Sequence, residues 1–401
     1  MSSHSVAQMA HGPVEAPGPA DFVEDAGANL AQEGILDRRD RVRERQGPST
    51  ARIQAGQILA VGFFTVTLPL KDPVSLLCAL IDIPSTTWEE GPVGEAIANT
   101  LEGAGFAVER QAVSPERFNV IVRVGDPLVT LSTHMDCVPP HLPAKDLGDR
   151  IQGRGACDAK GLIAAQIFAA IKLRGEGVSD FGLLFMVGEE EGGDGAKVAN
   201  RTPGRNRFII NAEPTEFRQA VAGKGVFRIT LTSSGRAAHA AYPELGESAV
   251  LKLLDVLNEL RAHAWPEDPI LGPTTMNIGT LKAGIKPNII PPLAVAEVMF
   301  RTVTPWAGVQ ETVKKIVGDR ATIEVNSTSE PIHMKVVPGF GRGDVVVRFG
   351  TDIPYLDAWG QPMLFGPGSI HDAHTSHEYI LKKDLNEAVD VYSALVTSRL
   401  G

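Results

Sequence analysis

Nine side chains that can bind a metal or move a proton recur along the 401-residue chain: His134, Asp136, Asp158, Glu189, Glu190, Glu213, His371, His374 and His377. Several of them close an apolar run. Imidazoles and carboxylates without a cysteine cluster are the donors of catalytic zinc and its first-row neighbours. A pair of such ions roughly 3.5–4 Å apart needs a bridging carboxylate, terminal ligands on each side and a shared water. Neighbouring Glu189 and Glu190 point in different directions at a strand end, so one can ligate while the other reaches that water. In "LSTHMDCVPP", residues 131–140, extended backbone puts His134 and Asp136 on one face where Pro139 ends the ladder. Each fragment alone is ordinary, since a His-x-Asp can cap any strand and paired glutamates usually sit in solvated loops. Their recurrence in order is what asks for a common site.

The elements that must position these groups follow from periodicity. Val74, Leu77, Cys78 and Ile81 have helical spacing after Asp72-Pro73, which read as N-cap and first helical residue. "GPVGEAIANTLEGAG" is a second helix stopped by glycine, and "FNVIVRVG" and "LVTLSTHMD" are strands. "GRGACDAKG", 153–161, is a glycine-rich loop opening the apolar helix "GLIAAQIFAAIKLRG". "FGLLFMV" runs into Glu189-Glu190-Glu191, and "RFIINAE" runs into Glu213. Buried strands that deliver polar groups at their carboxyl ends are how open α/β sheets build active sites. From Lys224 the order becomes strand, helix, two strands, helix, strand, the split βαβ arrangement of a small α+β domain inserted in the first. The expected organisation is a leader over 1–65, a catalytic domain over 66–221 and 331–401, and an inserted domain over 222–330. Residues 1–50 are rich in Ala, Gly, Pro and acidic residues without apolar period, which predicts disorder in the leader.

Composition excludes several classes. With 43% hydrophobic and 21% charged residues the chain is ordinary globular material, long enough for two cores. A net charge of -10 and the lack of a basic stripe argue against a nucleic-acid partner. Three cysteines, Cys78, Cys137 and Cys157, form an odd, sparse set that suits a reducing compartment; Cys137 and Cys157 read as small packing residues beside the site. The run 58–70 is too short to span a bilayer and contains Pro69, so the expectation is a cytoplasmic protein with no membrane partner.

Taken in order, "STHMDCVPP", "GRGACDAKG", "GEEEGGDGA", "NAEPTE" and "GPGSIHDAHTSHEY" resemble the two-zinc hydrolases that include acetylornithine deacetylase, succinyl-diaminopimelate desuccinylase, aminoacylase and glutamate carboxypeptidase. The resemblance covers about residues 70–401. It implies a zinc-peptidase-like α/β domain whose mixed sheet is flanked by helices, with an inserted ferredoxin-like α+β lid and dimerisation domain. It implies two zinc ions, replaceable by cobalt or manganese, with Asp158 as the bridge. His134 and Glu213 would share one ion, and Glu190 and the C-terminal histidine the other. Chemistry alone leaves His371, His374 and His377 open; register against an Ala-His-x-x-x-Glu-Tyr pattern selects His374. Asp136 would orient the His134 ring, Glu189 would be the general base, and Glu191 would be solvated.

The same resemblance places His239 of "SGRAAHAAYP" across a homodimer as an oxyanion donor, and Asn288 and Arg301 on the substrate, the arginine clamping a carboxylate. A structural histidine, a loop cap and a surface arginine are the plain alternatives for these three. The implied reaction is hydrolysis of the amide of an N-acyl amino acid or short peptide by a metal-bridging water, most nearly N-acetyl-ornithine or N-acetyl-lysine deacetylation. A desuccinylase, dipeptidase or carboxypeptidase with the same centre, or a non-catalytic dimeric scaffold, are the alternatives.

Overall fold

The computed structural model describes residues 66–401. The leader expected over 1–65 lies outside the described residues. Helix α1 (Pro73–Ile81) starts as the sequence requires: Ser75 N–H donates to the Asp72 carboxylate at 2.8 Å and proline fills the first turn. Such a cap stabilises by about 1 kcal/mol. The helix buries Leu76, Leu77, Leu80 and Ile81. Helix α2 (Gly91–Gly103) follows and buries Val93, Ile97 and Leu101.

The main sheet is mixed. Strands β1 (Val108–Ser114) and β2 (Arg117–Val124) pair antiparallel, and β3 (Val129–His134), β4 (Phe181–Met186) and β5 (Phe208–Asn211) run parallel to one another in the spatial order β4-β3-β5. Strand β2 joins β4 antiparallel, and the late strand Gln361–Leu364 joins β5 parallel at the far edge. Strands β3 and β4 are buried at every residue because both faces are covered. On one face α1, α2, helix α3 (Lys160–Gly175) and the C-terminal helix Lys382–Leu400 supply Leu77, Ile97, Leu162, Ile167, Leu385 and Tyr392 to the core. On the other, helix α4 (Asp194–Ala199) and Trp359 pack on Ile121, Leu184, Met186 and Ile209.

The small domain forms a separate core. Strands β6 (Gly225–Ser234), β7 (Thr275–Ala283), β8 (Leu293–Thr302) and β9 (Thr322–Ser329) make an antiparallel sheet in the order β7-β8-β6-β9. Alternate residues of β8 are buried, the period-2 pattern of a sheet with one packed face. Helices α5 (Ala249–Ala262) and α6 (Trp306–Val317) cover that face through Leu253, Val256, Leu257, Val309 and Val313. The outer side of α5 leaves Leu251 and Leu254 exposed.

Two features were not legible in advance. Strand β1 has no fully buried residue, so its apolar alternation is weak; pairing with β2 and the bonds from Arg110 to Glu95, Asn99 and Glu102 of α2 hold it. Gln219–Gly223 is the middle of a three-stranded sheet with Ile332–His333 and Asp344–Val347, joining segments that flank the inserted domain. Among the described residues no helix is long and apolar enough to cross a membrane.

Candidate metal centre

Because β3, β4 and β5 are parallel, their carboxyl ends open on the same edge of the sheet. His134 is the last residue of β3, Glu189 and Glu190 follow β4 by a short turn, and Glu213 stands two residues beyond β5. The strand stops at His134 rather than at Pro139, so Asp136 belongs to the loop. The turn into the glutamates needs Gly188: its φ is 77°, and a Cβ there would lie 2.0 Å from Asp194 Oδ1. Asp158 arrives on the loop before α3, where Gly155 at φ 86° leaves no room for a Cβ, which would be 2.9 Å from Cys137 Sγ. His374 comes from the loop before Tyr379–Leu381 and itself has φ 63°, a left-handed backbone costing about 1–3 kcal/mol that is characteristic of functional sites.

These segments converge on two sets of donors that share one residue. Donor atoms of His134, Asp158 and Glu213 all lie within 4.8 Å of one another, as do those of Asp158, Glu190 and His374. His134 Nε2 is 3.0 Å from Asp158 Oδ1, and His374 Nε2 is 3.3 Å from Asp158 Oδ2 and 2.9 Å from Glu190 Oε1. Asp158 thus offers one oxygen to each set. Glu213 Oε1 is buried and has no hydrogen-bond partner, although buried polar atoms are nearly always paired. Two imidazoles and three carboxylates, one of them with an orphaned oxygen, are a donor set that fits two first-row divalent ions.

The electrostatics fit the same occupant. Burial opposes the Asp158 charge, but hydrogen bonds from His134 and His374 outweigh it and hold the carboxyl below its ordinary value. Hydrogen bonds to Asp158 and Glu190 push His374 up to about 10. Burial, with crowding by neighbouring carboxylates, pushes Glu189 and Glu213 well above the usual range despite the His134 charge. Divalent cations relieve such crowding.

Asp136 does more than face the His134 ring. His134 Nδ1 lies 3.1 Å from the Asp136 backbone carbonyl and 3.4 Å from its carboxylate. The carboxylate accepts the backbone N–H groups of Glu189 and Glu190, each at 3.1 Å, and the Thr87 hydroxyl at 2.9 Å. The loop carrying both glutamates is therefore hung on Asp136. Glu191 is exposed and accepts the Trp88 indole N–H at 2.9 Å. His371 and His377 are exposed and belong to neither donor set.

The inserted-domain residues divide. Arg301, half-buried at the end of β8, lies near enough to Glu189 for that carboxylate to counter the lowering that burial imposes on its pKa. His239 and Asn288 sit beside each other on an exposed edge: His239 bridges Ile289, and Ala240 N–H donates to Asn288 O at 3.0 Å. No hydrogen bond or ion pair among the described residues joins either of them to the donor sets. Ala241 N–H donates to His239 Nδ1 at 3.1 Å, and Nε2 has no hydrogen-bond partner among the described residues.

Sequence reasoning passed over several residues that build the site. Thr87 supports Asp136, and Glu378 and Arg154 form a buried ion pair at 2.7 Å against the Asp158 loop. Asp352 is buried with both carboxylate oxygens unpartnered and is pushed up to about 7 by burial, against the pull of His134. Arg154 and Glu378 stand inside the motifs quoted above, but nothing local marks their role, or Thr87 and Asp352 at all, because the partners of Thr87, Arg154 and Glu378 lie far away in sequence.

Residues 221–324 match the family model described as a peptidase dimerisation domain. A Peptidase M20 domain-containing protein of Schizosaccharomyces pombe is 39% identical over 351 residues, covering 83% of this chain and 86% of that protein. A probable carboxypeptidase of Aspergillus fumigatus is 34% identical over 376 residues, 80% of this chain and 85% of its own length. Among solved structures, a dinuclear metal-binding peptidase of the M20 family from Bacillus subtilis superposes with TM-score 0.63 at 15% identity, covering 81% of this chain and 97% of that one. A two-domain metal-dependent hydrolase with a dimerisation-type insert is the class that fold and site define. The chain belongs to the M20 peptidase family.

Proposed function

We propose that this protein hydrolyses the amide bond that joins an acyl or peptidyl group to an amino acid bearing a free α-carboxylate. The observation that carries the reading is the pair of donor sets sharing Asp158, with Glu189 beside them. His134 and Glu213 would hold one zinc ion, Glu190 and His374 the other, and Asp158 both; cobalt or manganese would serve in the same donors. Bound there, the ions supply Lewis-acid polarisation and an acidified water.

The chain's own groups do the rest. Glu189, whose amide is fixed by Asp136, removes a proton from the attacking water at its carboxylate and passes it to the departing amine nitrogen. Arg301, which forms no ion pair among the described residues and lies near Glu189, clamps the substrate α-carboxylate through its guanidinium fork. His239 and Asn288 act from a second subunit. Their exposure, their separation from the donor sets of their own chain and the unpartnered Nε2 of His239 support this, as do the exposed Tyr242 and Leu245 beside them. The protein is then a homodimer in which the partner's His239 steadies the developing oxyanion. The free thiols of Cys78, Cys137 and Cys157 support a cytoplasmic placement.

Within this class, an N-acetyl-ornithine or N-acetyl-lysine type substrate is the first choice, the net charge of -10 suiting a cationic product. A C-terminal peptide substrate is the second reading, favoured by the probable carboxypeptidase among the relatives. The test is a screen of the zinc- and cobalt-loaded protein against N-acetyl amino acids, N-succinyl amino acids and dipeptides, each with a free and an amidated carboxyl group. Turnover that requires both the metal and the free carboxylate is the expected result. Equal turnover of amidated substrates would refute the carboxylate clamp, and no turnover by fully loaded protein would refute the enzymatic reading.

A further inference from the structure

The loop that brings Asp158 to the centre is buried and makes two short-range backbone bonds, Ala156 N–H to Gly153 O at 3.1 Å and Gly161 N–H to Gly155 O at 3.2 Å. Its residues 153–157 precede α3; Ala156 and Cys157 pack into the core, while Gly153 and Gly155 bring no side chain of their own. It nevertheless has to hold a carboxylate with one oxygen toward His134 and the other toward His374. The grip on its Cys157 and Asp158 amides comes from more than 200 residues away. Glu378 Oε1 accepts the backbone N–H groups of Cys157 and Asp158, each at 3.2 Å. Its Oε2 takes the Arg154 guanidinium at 2.7 Å, and its backbone carbonyl accepts Gly153 N–H at 3.0 Å. Glu378 is fully buried and Arg154 is 3% exposed. The adjoining strand Tyr379–Leu381 pairs with Arg150–Gln152, so the whole segment is stitched to the start of the same loop.

Asp136 offers a direct comparison, because its carboxylate holds the amides of Glu189 and Glu190 in the same manner. We infer that Glu378 is the positioning residue for Asp158: its carboxylate, gripping the Cys157 and Asp158 amides, sets the shared ligand and makes both ion sites depend on the docked C-terminal segment. The inference rests on the reading of Asp158 as a ligand of both ions. Because Glu378 lies four residues after His374, one segment both donates a ligand to one set and fixes the ligand common to both. Disturbing Glu378 should therefore weaken both ions in parallel, whereas loss of a terminal donor such as Glu190 weakens one.

Removing one member of a buried ion pair leaves an uncompensated charge, which by itself can unfold a protein. The experiment therefore compares two double variants that both lack the pair, Arg154→Met/Glu378→Gln and Arg154→Met/Glu378→Met. The glutamine keeps an oxygen for the two amides; the methionine does not. Zinc and cobalt are titrated against a chromophoric chelator, cobalt absorption reports each site's geometry, and urea denaturation of the metal-free proteins gives their stabilities. The glutamine variant should stay near wild-type affinity, and the methionine variant should lose about 10–100-fold at both sites, the usual effect of removing a group that orients a ligand. Equal affinities in the two double variants, at similar stability, would show that Glu378 merely neutralises Arg154 and would overturn the inference. Should the wild-type protein bind two ions unchanged by Asp158→Asn, the ligand reading beneath it falls instead.

Discussion

Replacing Asp136 with asparagine separates the two things its carboxylate does. The His134 ring meets the Asp136 main-chain carbonyl at 3.1 Å, a contact the substitution preserves. The Glu189 and Glu190 amides both need side-chain oxygens, and asparagine has one. Whichever way the amide turns, one half-buried backbone N–H faces an NH2 group, at a cost of about 1–3 kcal/mol for an unsatisfied donor. The surviving bond also loses its charge assistance, falling from roughly 1.5–3 to roughly 0.5–1.5 kcal/mol. The Thr87 hydroxyl, which donates at 2.9 Å, can rotate and become an acceptor, so it adds little. The metal-free variant should be about 2–4 kcal/mol less stable, measured by urea denaturation in a chelator with the m-value unchanged. Affinity for the ion held by Glu190 should fall about 10–100-fold in a cobalt titration, with the His134 side less affected. Thr87→Val, which removes only the hydroxyl, should cost about 1 kcal/mol. If Asp136→Asn cost no more than Thr87→Val, the carboxylate would not be what holds the glutamate loop.

Glu189→Gln should abolish turnover while both ions stay bound, and Glu190→Gln should release one ion; metal analysis showing the reverse would shift the register of this pair. His374→Ala should lower metal content and activity together, whereas His371→Ala and His377→Ala should leave stoichiometry unchanged, a difference read by the same analysis. Mixing Glu189→Gln with His239→Ala subunits under exchange should restore part of the activity if His239 serves the partner's site, and demonstrated heterodimers without recovery would place His239 outside the reaction. In the metal-free protein the hydrogen bonds to Asp158 and Glu190 raise His374 to about 10. An unfolded histidine titrates near about 6.5, so this contribution is complete below that pH and is lost as pH climbs toward the folded value. Urea midpoints of metal-free protein should accordingly decline between neutral pH and about 10 through this contribution, and His374→Ala should flatten that decline.

The sequence by itself determined the parts whose information is local. The Asp72 cap, the buried runs ending at His134, Met186 and Asn211, and the alternation along Leu293–Thr302 are written in neighbouring residues, because propensity, capping and hydrophobic period act over a few positions. The donor types were equally visible, since a metal centre draws on a narrow set of side chains. Only the tertiary structure decided which of them meet. Parallel pairing of β3 with β4 and β5 brings three strand ends to one edge and divides the carboxylates into two sets around Asp158. It also separated Arg301, which lies near Glu189, from His239 and Asn288 on an outward edge of the same inserted domain. The supporting carboxylates of Asp136 and Glu378 had no sequence signal as loop holders, because their partners are backbone amides about 50 and 220 residues distant, and any residue other than proline has such an amide.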